Sequence, residues 1–354
     1  MNRRAVLAGA LALGACGRAT ADPAPTDLPP LKELAPFPLG LAAMTEQFDD
    51  PAWDAIAKGH FGRITPEWEM KAEAVVDASG GYDWSRADRI VERAEARGLQ
   101  VFGHTLVWYS QVPAQFAALD GDRTRFAAAY RDYVTTVASR YAGRVTGWDV
   151  VNEAVTDDGT GFRAGHAWQR NLGMEYVALA FEHAREADPC AVLFLNDYNL
   201  EQLPQKRSDF LKLAESLLKA GAPLGGLGTQ THVPADLPPG AIRETVRALG
   251  SLGLPVHVSE LDISLNRAGR FTPRAELEAG QQRIVAETVE AVMALPQAQR
   301  YGITLWGARD QDSWLNRPPE KDPLRPDRPL LFDDDGRPKP LARALAEALK
   351  EASA

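Results

Sequence analysis

Two glutamates, each placed in or directly after an apolar run, are the residues in this sequence best suited to do chemistry. Glu153 lies in "GWDVVNEAV" (residues 147–155), and Glu260 lies in "PVHVSELDI" (residues 255–263). Burying an ionised carboxylate without partners is costly, so a strand that carries a glutamate to its end needs a reason. Two carboxyl groups can act together, one as an acid and the other as a base or nucleophile.

Polar neighbours two residues apart accompany the second glutamate. Side chains at this spacing share one face of a strand, so Glu260 and Asp262 are expected to point together, and so are Gln230 and His232. His232 is therefore predicted to hydrogen-bond to Glu260 and to hold it in one rotamer.

The first glutamate follows another polar residue directly. On a regular strand Asn152 and Glu153 would point to opposite faces. Both reach one cleft only if the strand twists or bulges at its end, and the sequence leaves that open.

Eight short apolar runs alternate with amphipathic helical stretches from Pro36 onward. "WSRADRIVERAEARG" (residues 84–98) is one such stretch, with apolar residues three and four apart and Gly98 as its expected cap. The predicted strands are residues 38–44, 61–66, 99–108, 144–153, 191–199, 226–233, 255–263 and 301–307. Alternation of strands and helices implies parallel strands, and eight units over residues 36–354 predict an α/β fold, a single-domain (β/α)₈ TIM barrel.

Polar and aromatic residues gather at the C-terminal ends of seven of these strands, which is where a TIM barrel places its active site. One polar residue at a strand end is ordinary, but the same end of seven strands predicts a site. The residues in question are Glu67, His104, Trp108, Asn152, Glu153, Asn196, Asp197, Tyr198, Asn199, Gln230, His232, Glu260, Asp262 and Trp306.

Tryptophans beside two glutamates favour glycoside hydrolysis, in which one carboxylic acid protonates the leaving oxygen and a second carboxylate is base or nucleophile. Trp108, Trp306 and Trp314 offer flat apolar faces to sugar rings. A metal-dependent barrel hydrolase using His104, His232 and His257 is the first rival, although the sequence contains no H-x-H pair or H-E-x-x-H helix. A catalytically silent sugar-binding lipoprotein is the second, but it would not need both glutamates. We therefore predict neither a metal nor another cofactor.

The amino-terminal stretch "MNRRAVLAGALALGAC" is typical of a secretory signal. Its apolar run, residues 5–15, is too short to span a membrane stably. "LGAC" resembles a bacterial lipobox, so residues 1–16 are predicted to be a lipoprotein-type signal peptide with Cys16 acylated. Arg3 and Arg4 fit either twin-arginine export or an ordinary basic segment. We expect an exported periplasmic or cell-surface lipoprotein with a membrane lipid anchor and, over residues 17–35, a disordered tether rich in proline and alanine.

The charge balance excludes one class of partner. A formal charge of −9 and a pI near 5.3, with no basic run, argue against a nucleic-acid binder. An acidic surface is compatible with a neutral polysaccharide or oligosaccharide. Cys190 is the one cysteine in the predicted barrel, so it forms no disulfide there, and we expect a buried residue. We also expect a monomer.

Eight motifs in order resemble glycoside hydrolase family 10, the endo-β-1,4-xylanases, from about Pro38 to the C-terminal helix. They are "TPEWEMKAE", "GHTLVWYSQVP", "GWDVVNEAV", "LNDYN", "GLGTQTHV", "VHVSELDI", "TLWGARDQDSWL" and "LLFDDDGRPKP". The resemblance implies hydrolysis of xylan or xylo-oligosaccharides with net retention, with Glu153 as acid/base and Glu260 as nucleophile.

The same resemblance implies roles for the surrounding residues. Asn152 would bind the 2-hydroxyl of the sugar under attack, and Asp262 would support His232. Gln230 and His232 would orient Glu260. The implied glycone-binding residues are Glu67, Lys71, His104, Trp108, Gln111, Trp306 and Trp314, with Tyr198 on the aglycone side.

Three positions depart from the family pattern. Trp68 stands where the family usually has asparagine, Tyr109 where it usually has histidine, and Phe116 where tryptophan is frequent. Trp68 and Tyr109 belong to the implied glycone side, so we expect weaker discrimination there. They leave open the same retaining chemistry on another β-1,4-linked sugar, or on short or decorated oligosaccharides.

Overall fold

The strands of this chain pair in parallel and close into a barrel. The computed structural model describes residues 28–77 and 79–353. Its strands are β1 (Leu39–Ala43), β2 (Arg63–Pro66), β3 (Gln100–Trp108), β4 (Val145–Asn152), β5 (Val192–Asp197), β6 (Gly226–Thr229), β7 (His232–Pro234), β8 (Val256–Ser264) and β9 (Arg300–Leu305). Strands β1 to β6 are neighbours in chain order, β6 pairs with β8, and β9 joins β8 back to β1. The predicted eight-stranded (β/α)₈ barrel is confirmed.

The short strand β7 pairs only with β8, beyond the point where β6 ends. The predicted sixth strand is therefore two strands, separated by Gln230 and Thr231. Thr231 has a left-handed backbone, with φ +54°, which breaks the regular strand at this point.

Helices form the outer layer. The described helices are α1 (Leu31–Leu34), α2 (Pro51–His60), α3 (Ala72–Val75), α4 (Ser85–Glu95), α5 (Arg123–Arg140), α6 (Ala167–Leu172), α7 (Glu175–Ala187), α8 (Pro204–Lys219), α9 (Ala241–Gly250), α10 (Arg274–Met293) and α11 (Pro340–Ser353). In α4 the buried positions Ala87, Ile90, Val91 and Ala94 lie three and four apart, which is the periodicity that predicted the helix. None of the helices in the described ranges has both the length and the apolar character needed to span a membrane.

Two expectations about the periphery are wrong. Residues 28–35, assigned to the tether, belong to the folded domain, since Leu28 and Leu31 are buried and α1 packs against α11. Cys190 is a free, exposed cysteine rather than a buried one. It lies in the turn between α7 and β5, where its backbone N–H donates to the Asp188 carboxylate at 3.0 Å. In this surface turn its side chain is not covered by a helix or strand. The predicted signal peptide, Cys16 and residues 17–27 lie outside the described residues.

Helix α10 packs directly against the chain that leaves β7. A Cβ at Gly280 would lie 2.0 Å from the Ala235 carbonyl oxygen, whereas a Cβ at the helical Gly59 would have no neighbour within 4 Å. Gly280 therefore sets how closely the helix approaches the strand that begins with His232.

We expect Gly280→Ala to lower the free energy of unfolding by about 1–3 kcal/mol, as overpacking does. The matched change Gly59→Ala should raise it by about 0.5–1 kcal/mol, because a helical glycine is entropically costly. Urea unfolding of both variants measures the difference. Equal effects of the two substitutions would show that the approach at Gly280 is not constrained.

Candidate active site

Glu153 leaves the end of β4 in an unusual backbone conformation. Its φ is +61°, in the left-handed region, and its N–H donates to the Asn196 carbonyl at 2.8 Å. This turn lets the adjacent side chains of Asn152 and Glu153 face the same cleft, which a regular strand would prevent. A non-glycine residue in this region is strained, and such strain is concentrated at functional sites.

The Glu153 carboxyl group is surrounded by donors. Trp108 Nε1 donates to Oε2 at 2.8 Å, while Gln230 Nε2 and Asn152 Nδ2 donate to Oε1 at 3.0 and 3.1 Å. Burial raises the pKa of Glu153, and the charge of Glu260 raises it further, against the lowering effect of the hydrogen bonds from Gln230 and Trp108. Its environment therefore favours the protonated form more than water does.

Glu260 has a different environment. His232 Nε2 lies 3.3 Å from Glu260 Oε2, and Asn196 Nδ2 donates to Oε1 at 3.0 Å. His232 Nδ1 lies 2.8 Å from Asp262 Oδ2. Burial alone would lower the pKa of His232, but the Asp262 and Glu260 carboxylates raise it to about 10. The imidazolium therefore donates to both acids and fixes Glu260, as the spacing of Glu260 and Asp262 predicted.

Gln230 has a different partner from the expected one. It was assigned to orient Glu260, but its amide donates to Glu153 Oε1 and to Asn152 Oδ1, at 3.0 and 3.2 Å. The left-handed Thr231 between Gln230 and His232 sends the two side chains to different carboxyl groups. Asn196 occupies the place at Glu260 that was expected for Gln230.

A cleft of about 360 Å³ opens above the two carboxyl groups at the C-terminal ends of the strands. Residues expected there that line it are Glu67, Lys71, His104, Trp108, Asn152, Glu153, Tyr198, Gln230, His232, Glu260, Trp306 and Trp314. Asn199, a strand-end residue that was expected at the site without a specific role, also lines it, and so does Arg267, which was not expected. The Lys71 ammonium lies 4.8 Å from the Trp108 ring centre and Arg267 lies 4.6 Å from that of Trp314, so cations flank both rings.

Six expected residues do not line this cleft. Asn196, Asp197 and Asp262 hydrogen-bond to residues that do line it, whereas Gln111, Trp68 and Tyr109 have other contacts. Gln111 accepts a hydrogen bond from the Glu73 backbone at 3.2 Å. The Trp68 ring lies under the Arg86 guanidinium at 4.8 Å, and Tyr109 lies against Arg163 at 3.8 Å. The two departures from the family pattern thus contact arginines next to the cleft.

The histidines named for a metal site have separate partners. His257 lies 3.1 Å from Arg63 Nη2 and 2.9 Å from Thr304 Oγ1 deep in the barrel, while His104 Nδ1 lies 2.8 Å from Asp149 Oδ2. Burial lowers the pKa of His104 and raises that of Asp149, so this pair avoids carrying two charges. Three ligand atoms, one each from His104, Asp149 and Glu260, do lie within 4.8 Å of one another. A cation bound by these three atoms would replace the hydrogen bond between His104 and Asp149 and would also coordinate the Glu260 carboxylate.

Arg163, which no sequence motif marks, anchors the segment after Glu153. Its Nε donates to the Glu153 carbonyl at 3.0 Å, and one Nη donates to the Val155 carbonyl at 3.1 Å and to Asp157 at 2.7 Å. The guanidinium carbon also lies 3.8 Å from the Tyr109 ring centre. Arg163 is ten residues beyond Glu153 in a loop, where no periodicity marks it.

A buried ion pair lies beneath the same segment. Lys206 Nζ is 2.9 Å from Asp197 Oδ1, and both side chains are fully buried. Burial raises the pKa of Asp197 to about 7, although Lys206 opposes the shift. Asp197 also accepts from the Val155 N–H at 3.0 Å, and Lys206 lies 3.5 Å from the Tyr198 ring centre. Asp197 and Arg163 therefore both hydrogen-bond to the backbone of residues 153–155, the segment that carries Glu153.

Glu153 and Glu260 therefore have environments that suit two different chemical roles. A carboxyl whose pKa is raised can donate a proton, and a neighbouring carboxylate held by an imidazolium can attack or accept. The family model for "Glycosyl hydrolase family 10" matches residues 32–348. The chain belongs to glycosyl hydrolase family 10.

Family 10 relatives are similar over most of the chain. A β-1,4-xylanase from Dictyoglomus thermophilum is 35% identical over 88% of this chain and 89% of its own length. Endo-1,4-β-xylanase B from Paenibacillus barcinonensis is 36% identical over 86% of this chain and 92% of its own length, whereas the match to endo-1,4-β-xylanase C of that organism spans 30% of that protein. The solved structure of a thermostable mutant of a Cellvibrio japonicus xylanase superposes with a TM-score of 0.82 at 33% identity, covering 91% of this chain and 99% of that one.

We expect Arg163→Ala to impair this family 10 site selectively. Without the donors to the Glu153 carbonyl, the Glu153 carboxyl should be displaced, so kcat/KM on glycosides whose leaving group needs an acid should fall about tenfold, out of the roughly 10²–10⁴ that a general acid contributes. Glycosides with good leaving groups, which need no acid, should change less than about twofold. Loss of a nearby positive charge raises the pKa of Glu153, so the alkaline limb of the kcat/KM profile should move to higher pH.

Arg131→Ala is the control, because this exposed arginine of α5 pairs with Glu186 of α7 and makes no hydrogen bond or ion pair with the segment after Glu153 among the described residues. Equal losses on both glycoside classes with an unmoved pH profile would show that Arg163 has only a general structural role.

Proposed function

We propose that this chain is an endo-β-1,4-xylanase that acts with net retention, with Glu153 as acid/base and Glu260 as nucleophile. The observation that carries the proposal is the unlike environment of the two carboxyl groups. Burial raises the pKa of Glu153, whereas Glu260 accepts from the His232 imidazolium. The xylanases among the similar proteins support xylan as the substrate.

In the first step Glu260 attacks the anomeric carbon while Glu153 gives its proton to the glycosidic oxygen. The bond from that carbon to the leaving oxygen breaks, and a covalent glycosyl-enzyme forms with Glu260. Trp108 and Gln230 hold the Glu153 carboxyl during the transfer, and Asn196 and His232 hold Glu260.

In the second step Glu153, now ionised, takes a proton from water as the water oxygen attacks the anomeric carbon. The bond to Glu260 breaks, the sugar is released, and Glu153 is protonated again. The donors to both carboxyl groups are in place before substrate binds, so little reorganisation is required.

The surroundings of the cleft suit a chain of neutral sugars. Trp306 and Trp314 offer apolar faces, and Glu67, Lys71 and Tyr198 offer polar groups to hydroxyls. Because Trp68 and Tyr109 depart from the family pattern, the same chemistry on another β-1,4-linked or decorated oligosaccharide is the second candidate. Product analysis on xylan, linear xylo-oligosaccharides and cello-oligosaccharides separates the two, and binding without turnover of any of them would indicate a sugar-binding lipoprotein.

We expect Glu153→Ala to lose roughly 10²–10⁴-fold in kcat/KM on xylan, yet to remain able to form the glycosyl-enzyme from a nitrophenyl glycoside, whose leaving group needs no acid. Glu260→Ala should fail on both. The exposed Glu182→Ala in α7 is the control for loss of a glutamate. Inverted anomeric product in the first turnovers, observed by NMR, would overturn the assignment of Glu260 as nucleophile.

We also propose that the protein is exported and held at a membrane through Cys16, on the basis of the lipobox-like "LGAC" after a short apolar run. A barrel held in this way would meet its substrate outside the cytoplasm. A single acyl chain gives only reversible membrane binding, so stable anchoring through Cys16 requires a second acyl chain or another membrane-binding feature.

Cys16→Ser should therefore move the protein from the membrane fraction to the soluble fraction of the producing cell, measured by immunoblotting. Cys190→Ser is the matched control and should leave the distribution unchanged, since Cys190 is on the barrel. Wild-type protein found only in the soluble fraction would contradict the anchor.

A further inference from the structure

A second cavity, of about 520 Å³, lies next to the cleft at the C-terminal ends of β1 and β2. It is lined by Met44, Thr45, Glu46, Asp49, Trp68, Glu69, Ser85, Arg86, Arg89 and Arg93. The two cavities are neighbours along the chain, because Glu67 lines the cleft and the next residue, Trp68, lines the second cavity. A chain bound in the cleft against Glu67 would therefore lie next to the residues of the second cavity.

The wall between the two cavities is a small polar cluster. Arg317 donates to Glu67 Oε2 at 2.8 Å, and its other Nη lies 3.2 Å from Met44 Sδ. This cluster fixes Glu67 on one side and leaves Trp68 on the other.

Three arginines, Arg86, Arg89 and Arg93, line the second cavity. The Arg86 guanidinium lies 4.8 Å from the Trp68 ring centre, a cation–π contact that limits where this side chain can lie. Arg93 is already engaged, with Asp49 at 2.7 Å and the Thr45 carbonyl at 3.1 Å. Across residues 28–77 and 79–353, neither Arg86 nor Arg89 has a carboxylate oxygen within 4.0 Å, although Asp83 is near enough to Arg86 to feel its charge.

The acidic residues of the cavity do not cancel this charge. Asp49 is paired with Arg93. Glu69 is buried and accepts from the Thr45 N–H and hydroxyl at 2.5 and 2.7 Å, and burial raises its pKa. Among the lining residues this leaves the Glu46 carboxylate to face Arg86 and Arg89, so this side of the cavity favours an anion.

We propose that this second cavity binds the carboxylate of a uronic acid side group carried by a β-1,4-linked chain, with Arg86 and Arg89 as its donors and Trp68 beside its ring. The proposal rests on the proposed function, because the chain that carries the side group is the substrate of the cleft. A guanidinium matches a planar carboxylate in two parallel hydrogen bonds, which makes arginine a selective partner for this group. The proposal also gives Trp68 a role, because an asparagine at this position has no aromatic ring for Arg86 to pack against.

The test uses three substrates: a linear xylo-oligosaccharide, the same chain with one glucuronic acid side group, and that decorated chain with its carboxyl reduced to an alcohol. For the wild type, kcat/KM on the acidic chain should exceed that on the reduced chain about fivefold. In Arg86→Ala/Arg89→Ala this ratio should fall to near one, while the rate on the linear chain stays within about twofold. Added salt should also lower the ratio, because exposed charges are screened.

Arg247→Ala in α9 is the matched control, since this exposed arginine lies far from the β1 and β2 ends of the barrel. A wild-type ratio near one, or equal loss on all three substrates in the double variant, would overturn the proposal while leaving the proposed function intact. Failure of the folded wild type to cleave any of the three would overturn both.

Discussion

The side-chain amide of Asn196 is the contact on which the geometry of the site depends. Its two N–H groups donate to Asn152 and to Glu260, each at 3.0 Å, and its oxygen accepts from Ser259 at 2.9 Å. The amide is fully satisfied and therefore rigid, and it couples the β4 side of the site to the β8 side. Gly228 across the strand pair leaves it room, because a Cβ there would lie 2.3 Å from the amide oxygen.

The barrel makes this coupling possible. Parallel strands in register bring their C-terminal ends to one rim, so residues far apart in sequence meet without long loops. From Glu153 through Asn152 and Asn196 to Glu260, hydrogen bonds run across the barrel mouth. The positions of the Glu153 and Glu260 carboxyl groups are thus linked. Their environments differ because Trp108 and Gln230 donate to Glu153, whereas Asn196 and His232 donate to Glu260.

Strand periodicity predicted part of this site and could not predict the rest. The eight strands and the common face of Glu260 and Asp262 follow from alternation alone. The left-handed backbones of Glu153 and Thr231 do not, because nothing in residue type marks a strained non-glycine position. Thr231 is the reason that Gln230 contacts a different carboxyl group from the one expected.

Long cationic side chains are the other feature of the site that sequence patterns could not predict. Arg163 and Lys206 reach the site from a loop and an outer helix, and only the folded chain shows which groups they meet. Trp68 and Tyr109 were identified as departures from the family pattern, but their arginine partners come from distant segments. Leu28 and Leu31 were missed because two buried leucines in a proline-rich segment form no period.

The contact between the first and last helices fixes where the two ends of the domain lie. Leu31 N–H donates to His60 at the end of α2, and Ser353 at the end of α11 donates to the Leu34 carbonyl. Both contacts are at the face where the strands begin, opposite the cleft. Whatever is joined to the domain at residue 28 is attached behind the barrel, so the cleft points away from it. A longer or shorter segment before residue 28 would therefore change how far the domain can reach without changing the side of the barrel on which the cleft opens.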